Sequence, residues 1–186
     1  MIPAEFGATP WGRCWTRTVE TTATAVPNPL LPKARSIARN HGATLTTEVG
    51  VVTAKVVVSG AESTVRIELP PWPEETKHDA ERLIAKSLAA NPGLATGDLP
   101  DSLEAEFTAA GITFAVPLAE QVATCDCRTR KRPCVHILAG LYALSMRVDE
   151  RPRLAVELRM DSAAAAEDAD PDWIPLTDLD PATFYG

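Results

Sequence analysis

Three cysteines and one histidine lie within twelve consecutive residues of this chain, in the order Cys125, Cys127, Cys134 and His136. Thiolate and imidazole groups suit Zn²⁺, and structural zinc sites bind the ion through four of them in a tetrahedron. Residues two apart in an extended segment point to the same side, so Cys125 and Cys127 can meet at one ion. Pro133 and a following apolar helical pattern place Cys134 and His136 at a helix start. The pattern predicts one structural zinc ion and leaves no coordination position open for catalysis.

Two other interpretations of the cysteines remain open. Paired disulfides would need Cys14, the remaining cysteine, and an oxidising compartment. A redox dithiol, or a thiol redox sensor that releases zinc on oxidation, would need exposed ligands. Cys14 itself lies on the apolar stripe of a predicted helix, where we expect a buried small hydrophobic residue and not a ligand.

The loop between the two ligand pairs is strongly basic. We name its charged residues the basic knuckle: Arg128, Arg130, Lys131 and Arg132. Three thiolates on a dication leave about one negative charge, which these cations and the amides of a helix start would stabilise. The same cations could contact nucleic-acid phosphates. The simpler interpretation is that they only keep the loop solvated.

The CxC and CxH pairs, their short spacer and the apolar run at 137–144 resemble the SWIM zinc finger, named for SWI/SNF-type ATPases and MuDR transposases. Residues 11–15 and 149–159 also resemble segments of the small bacterial proteins that carry this finger. The resemblance implies zinc binding and a role in binding DNA or protein. It also implies a helicase-like ATPase of the SWI/SNF type as partner. Related fingers often have an acidic or aromatic spacer, whereas the spacer here is basic.

Length and composition predict a single domain with a tail. A chain of 186 residues with 45% hydrophobic content can bury one core. We place an α+β domain at 1–160, with the finger at 122–150, and an acidic tail rich in proline and alanine at 161–186. The net charge of −7 means that any contact with nucleic acid must be local.

The sequence predicts a cytoplasmic protein. No apolar run approaches the ~18 residues of a membrane span, so we expect no membrane contact. Residues 1–10 show neither a charged n-region nor an apolar h-region of a signal peptide. Thiols in the cytoplasm stay reduced and free to bind zinc.

Three β-branched segments predict a small antiparallel β-meander packed with helices. They are residues 44–49, 51–59 and 64–69, separated by Gly50 and by a turn at 60–62. Apolar and charged residues alternate in the third segment, which predicts one buried face and one solvated face.

Helices should flank this sheet. Thr9 and Pro10 read as the N-cap and first residue of a helix that docks through Trp11 and Trp15. Helical patterns also cover 74–90 and a shorter helix that Asp101 should cap and Gly111 should end.

Three further segments should connect the predicted elements. The helix that follows His136 should join the finger to the core. Three prolines at 22–34 predict a connecting loop, and 112–117 should be extended. Residues 121–127 lead into the finger. The wide apolar surface after His136 must lie against the sheet or the tryptophan helix.

Apolar side chains interrupt the acidic tail. They include Trp173, Ile174, Leu176 and Phe184. Such alternation is typical of segments that dock on a partner. Folding back on the chain's own domain and plain disorder remain open as alternatives.

No catalytic motif is present in the sequence. It contains no phosphate-binding glycine-rich loop, no GxSxG, no HExxH and no carboxylate pair suited to acid–base catalysis. We therefore expect a non-enzymatic protein without a small-molecule substrate. Two non-enzymatic functions remain. In the first, the chain assists a DNA-acting ATPase and itself contacts DNA through the basic knuckle. In the second, it is a protein adaptor that uses the finger and the tail without touching nucleic acid.

Overall fold

The computed structural model describes residues 6–20, 28–130 and 132–160. Within these ranges the fold is α+β, as the sequence predicts. Its elements, in chain order, are α1 (Pro10–Glu20), α2 (Leu31–Arg39), β1 (Ala43–Glu48), β2 (Val51–Val58), β3 (Ala61–Glu68), α3 (Glu74–Ala90), α4 (Asp101–Ala109), a 3-10 turn (Leu118–Glu120), β4 (Val122–Cys125), α5 (Val135–Glu150) and α6 (Leu154–Glu157).

The four described strands form one antiparallel sheet in the order β1-β2-β3-β4. Tight turns join the first three strands, with Ser59 and Gly60 both at positive φ, 52° and 80°. Two-residue turns of that geometry match the twist of antiparallel strands. The buried residues of β2 and β3 alternate with exposed ones, which confirms the prediction of one buried and one solvated face.

Helix α5 lies at the centre of the molecule. Ten of its 16 residues are buried, and it packs on all four strands as well as on α1 and α2. A Cβ at Gly140 would lie 3.2 Å from the Ala54 Cβ, so the missing side chain allows α5 close to the middle of the sheet. The helix that follows the ligand residues therefore forms the main part of the core.

Helix α1 is fixed to the end of α5 by one carboxylate. Asp149 accepts hydrogen bonds from the backbone N–H of Gly7 and of Thr9, both at 2.8 Å, and from the Thr9 hydroxyl. Thr9 Oγ1 in turn accepts a bond from the Gly12 N–H, which confirms Thr9 as the N-cap. Trp11 and Trp15 are completely buried.

The structure corrects three boundaries of the predicted elements. Helix α2 begins inside the segment 22–34 that was predicted to be a loop. Its Pro32 sits in the first turn, where proline's missing N–H would have had no helical partner anyway. Residues 112–117 form no strand, although Phe114 and Val116 are buried. Pro100, not Asp101, occupies the N-cap of α4.

No helix among the described residues is both long and apolar enough to cross a lipid bilayer. The tail predicted at 161–186, with Trp173, Ile174, Leu176 and Phe184, lies outside the residues that the structure describes.

Candidate metal centre

Strand β4 brings the first pair of cysteines to the edge of the sheet. Its register on β3 places Cys125 opposite Val65, a residue of the buried face. Cys127, two residues later, is directed to the same side, as the extended CxC spacing predicts. Asp126 is directed to the other side. Its carboxylate accepts a bond from the Thr64 N–H, and its own N–H donates to the Thr64 carbonyl at 3.2 Å.

Helix α5 supplies the second pair. Cys134 is the N-cap residue, with extended backbone angles, and its carbonyl accepts the first helical bond from the Leu138 N–H. His136 lies in the first turn, one residue inside the helix. The thiol of Cys134 is 1% exposed, whereas the other three ligand residues are half-buried.

The four side chains converge. One donor atom from each of Cys125, Cys127, Cys134 and His136 lies within 4.8 Å of every other. The Cys134 Sγ and the His136 Nδ1 are 3.9 Å apart. A tetrahedral zinc ion with Zn–S bonds of about 2.3 Å needs ligand atoms roughly 3.5–3.8 Å from one another, so small side-chain rotations would complete the shell. The residues present fit a zinc ion of the structural type.

The thiols of this cluster differ in acidity. Burial is the largest influence on the pKa of Cys125 and raises it to about 12. Burial also raises the pKa of Cys127, but hydrogen bonds from the Thr129 N–H and from His136 outweigh it and bring the value to about 6. Of these two thiols, Cys127 is therefore the one that ionises more readily. A dication is what stabilises the further thiolates, so zinc binding must release protons.

Arg132 of the basic knuckle hydrogen-bonds to the backbone around the metal ligands. Its guanidinium donates to the carbonyl of Thr129, to the carbonyl of Cys125 at 3.2 Å and to the Cys127 sulfur at 3.8 Å. These bonds tie the loop to the strand that enters it and place a positive charge beside the sulfur. Sequence reasoning grouped Arg132 with the other three cations of the basic knuckle; its side chain is exposed like those of Arg128 and Arg130, but its bonds within the loop were not foreseen. In the sequence, Arg132 differs from the other three cations only in that it lies directly before Pro133 and Cys134.

The other basic side chains have different positions. Arg128 and Arg130 are exposed, and Lys131 lies outside the described residues. Among the ion pairs of the described ranges none involves Arg128 or Arg130. Arg128 and Arg130 therefore face solvent at the finger, and Arg132 is exposed as well but hydrogen-bonded within the loop.

Cys14 does not join the cluster. It lies on α1, half-buried, and its thiol donates to the Glu104 carboxylate at 3.3 Å. Burial, followed by the hydrogen bond and charge of Glu104, raises the Cys14 pKa to about 11. It packs against the core as predicted, although it is less buried than expected.

Comparison with known proteins agrees with this geometry. The family model described as "SWIM zinc finger" matches residues 114–145. The chain is 30% identical over 125 residues to the uncharacterized protein Rv2102 of Mycobacterium tuberculosis. The match covers 66% of this chain and 45% of that relative, so it spans less than half of the relative's length. No solved structure matches the chain.

The family match covers β4, the basic loop and the first part of α5, which are the elements that bring the four ligand residues together. Residues 114–145 of this chain therefore match the SWIM zinc finger in sequence and in the placement of the four ligand residues.

Proposed function

We propose that this chain is a non-enzymatic accessory protein whose single structural zinc ion fixes a basic loop for binding DNA, and which works with a helicase-like ATPase of the SWI/SNF type. Cys125, Cys127, Cys134 and His136 would hold the ion. The observation that carries the proposal is the exposed pair Arg128 and Arg130 on a loop whose two ends are the ligand pairs. Zinc-bound thiols suit the reducing cytoplasm.

The positive surface is local. On the exposed face of the adjoining sheet, Lys55 pairs with Glu62 and Arg66 pairs with Glu68. Since the exposed Arg132 side chain already bonds to the Thr129 and Cys125 carbonyls and to the Cys127 sulfur, we count only Arg128, Arg130 and Lys131 as phosphate contacts. Three phosphate contacts correspond to a slope of log K against log salt of about −2.7. Binding should therefore be weak, salt-sensitive and poorly sequence-specific.

Charge reversal at the finger tests this function. The variant Arg128→Glu/Arg130→Glu should lose about tenfold or more of the affinity for a short DNA duplex at low salt, with zinc content unchanged. Fluorescence anisotropy gives the affinity, and elemental analysis gives the zinc.

The matched control is Lys55→Glu/Arg66→Glu, which changes the net charge equally on the neighbouring sheet face. We expect it to keep most of the affinity. Equal losses in both variants would mean that only net charge matters, and no binding by the wild-type chain at low salt would refute DNA binding.

A protein adaptor without nucleic-acid contact is the second candidate. Two observations favour it: the net charge of −7 and Val122, an apolar residue of β4 that is 60% exposed beside the finger. Trp173, Ile174, Leu176 and Phe184 would add apolar contacts from the tail.

The ATPase partnership has its own test. Affinity purification with the full chain should recover a helicase-like ATPase, and Val122→Asp or Trp173→Ala/Phe184→Ala should reduce the recovery if the adaptor surface or the tail is used. Recovery of no ATPase by the wild-type chain would refute the partnership while leaving zinc and DNA binding untouched.

A further inference from the structure

Helix α2 is a basic element in an acidic chain. The chain has 25 acidic and 18 basic residues, yet residues 21–47 contain no aspartate or glutamate. Helix α2 places three cations in that stretch, which are Lys33, Arg35 and Arg39. Arg35 is engaged within the fold, because it pairs with Glu20 and donates to the Tyr142 hydroxyl at 3.0 Å. No acidic residue of α2 offsets the charge of the other two cations.

The solvent-facing side of α2 is polar. Lys33, Ser36 and Arg39 follow one another three positions apart along this side, and all three are exposed; we call them the α2 strip. Ala34 and Ala38 lie on the opposite side and are buried. All nine residues of α2 are described, and none of its large hydrophobic side chains is exposed. The core of a protein interface is apolar, whereas phosphates bind cations and hydroxyls, so the α2 strip suits phosphates better.

The two cations of the α2 strip share one property with Arg128 and Arg130 at the finger. Within residues 6–20, 28–130 and 132–160, neither Lys33 nor Arg39 bonds to a carboxylate or a carbonyl. Arg39 stacks on the Phe6 ring, with its guanidinium carbon 5.7 Å from the ring centroid, and this contact leaves its N–H groups available. Most other lysines and arginines of these ranges pair with a carboxylate. Cations ready for an outside anion therefore lie in two places, the finger and the α2 strip.

Helix α5 sets the distance between these two places. His136, a metal ligand of the finger, lies in its first turn, whereas Tyr142, which binds Arg35 of α2, lies at its middle. The whole helix has 16 residues, which corresponds to about 24 Å. One turn of duplex DNA is longer, at ~34 Å. A single duplex is therefore long enough to reach both the finger and the α2 strip.

We propose that the α2 strip is a second phosphate-binding surface, so that one DNA duplex contacts Lys33 and Arg39 as well as the finger. The inference rests on the proposed function, since it concerns the same DNA. The two cations bind phosphate oxygens, and the Ser36 hydroxyl donates a further hydrogen bond. With three finger cations, the five contacts give a slope of log K against log salt of about −4.5, compared with about −2.7 for the finger alone. Phosphate contacts carry no sequence information, so the strip raises affinity without adding base preference.

The salt dependence of DNA binding tests the α2 strip. Fluorescence anisotropy of a short labelled duplex, with the full zinc-loaded chain over a range of KCl concentrations, gives the slope. Lys33→Gln/Arg39→Gln should change the slope from about −4.5 to about −2.7 and lower the affinity at low salt by about tenfold or more. Arg82→Gln/Lys86→Gln is the matched control, because it removes two charges from exposed side chains of α3 that already pair with carboxylates. The control should keep the slope and the affinity of the wild-type chain.

Failure of the α2 strip and failure of the proposed function give different results. An unchanged slope in Lys33→Gln/Arg39→Gln, with affinity lost in Arg128→Glu/Arg130→Glu, would confine DNA to the finger and overturn only the inference. Equal changes in the two Gln variants would overturn it as well, since net charge alone would explain them. An unchanged slope with reduced recovery of an ATPase would assign the strip to a protein partner instead. A wild-type chain that binds no DNA at low salt would refute DNA binding at both places.

Discussion

At the scale of single residues, the cations of the basic knuckle have two different roles. Arg132 stabilises the loop, whereas Arg128 and Arg130 are available for contact with a partner. The bonds from Arg132 to the Cys125 and Thr129 carbonyls and to the Cys127 sulfur stabilise the loop around the metal ligands. Arg128 and Arg130 make no such bonds in the described structure and face solvent. A charge substitution at Arg132 would therefore change the zinc site together with any DNA contact, and only the other two positions test DNA binding cleanly.

Cys14 should react slowly with thiol reagents. Its pKa of about 11, raised by burial and by Glu104, lies well above neutral pH. Only about one thiol in a thousand is then ionised at pH 8, and the thiolate is the reactive form. Because the pKa is raised, we expect the rate to climb about tenfold per pH unit up to the pKa. The measurement is the rate of alkylation of Cys14 in the zinc-loaded chain, located by mass spectrometry.

Glu104→Gln provides the comparison for this prediction. It removes the negative charge beside the thiol while keeping a hydrogen-bond acceptor, so the Cys14 pKa should fall and alkylation at pH 8 should speed up. An unchanged rate in Glu104→Gln, or fast alkylation of Cys14 at neutral pH in the wild-type chain, would contradict the assigned cause.

At the scale of elements, the packing of α1 against the end of α5 depends on Gly12 and Asp149 together. A Cβ at Gly12 would lie 2.1 Å from the Asp149 Oδ1, so Gly12→Ala must displace the carboxylate that bonds Gly7 and Thr9. We expect Asp149→Ala to lower the free energy of unfolding by about 1–3 kcal/mol. Gly12→Ala should cost a similar amount in the wild-type chain and much less in the Asp149→Ala background.

Urea unfolding of the four proteins in this double-mutant cycle measures the coupling. A coupling near zero would mean that the carboxylate does not join the two helices. Ala8→Ser is a suitable neutral control, because it changes a neighbouring residue outside these contacts.

Much of the element pattern could be predicted from the sequence, because the relevant signals are local. Alternation at Val65 and Ile67 gave a strand with one buried face, and helical spacing gave α3 from Glu74 to Ala90, as observed. The ligand set could also be predicted, since the two residues of each CxC or CxH pair are only two positions apart in the sequence. The structure brings those four side chains together.

The rest depended on contacts distant in sequence. Pro32 reads as a helix breaker unless its place in a first turn is known, and α2 was missed for that reason. Asp149 lies 140 residues from Thr9, so neither segment alone could predict that its carboxylate binds the start of α1. Arg132 differs from Arg130 in the hydrogen bonds of its side chain, and these form only in the folded loop.

At the scale of the whole molecule, metal and core should be lost together. Zinc contributes about 10–16 kcal/mol to finger peptides, compared with a total stability of about 5–15 kcal/mol for a domain. Because α5 both carries ligands and forms the core, removing zinc should unfold at least residues 122–150 and lower the melting temperature of the chain. Circular dichroism during chelation, with hydrogen exchange to locate the change, measures both effects.

Elemental analysis of the chain purified without added metal should give one zinc ion per chain. Cys134→Ser should lose it, whereas Cys14→Ser should keep it, since Cys14 bonds to Glu104 away from the cluster. A zinc-free chain that melts at the same temperature as the loaded chain would show that the core does not need the ion.

The pairing of β4 with β3 has a consequence for the order of folding. Cys125 pairs with Val65, and α3 and α4 occupy the chain between these strands, whereas the four ligands span only twelve residues. Closing a short loop costs less entropy than closing a long one, and non-local strand pairing is slow. The ion can thus be bound while the segment from β4 to α5 is still separate from the sheet. In a cell, the availability of zinc as these residues leave the ribosome would then set when the last strand joins the sheet.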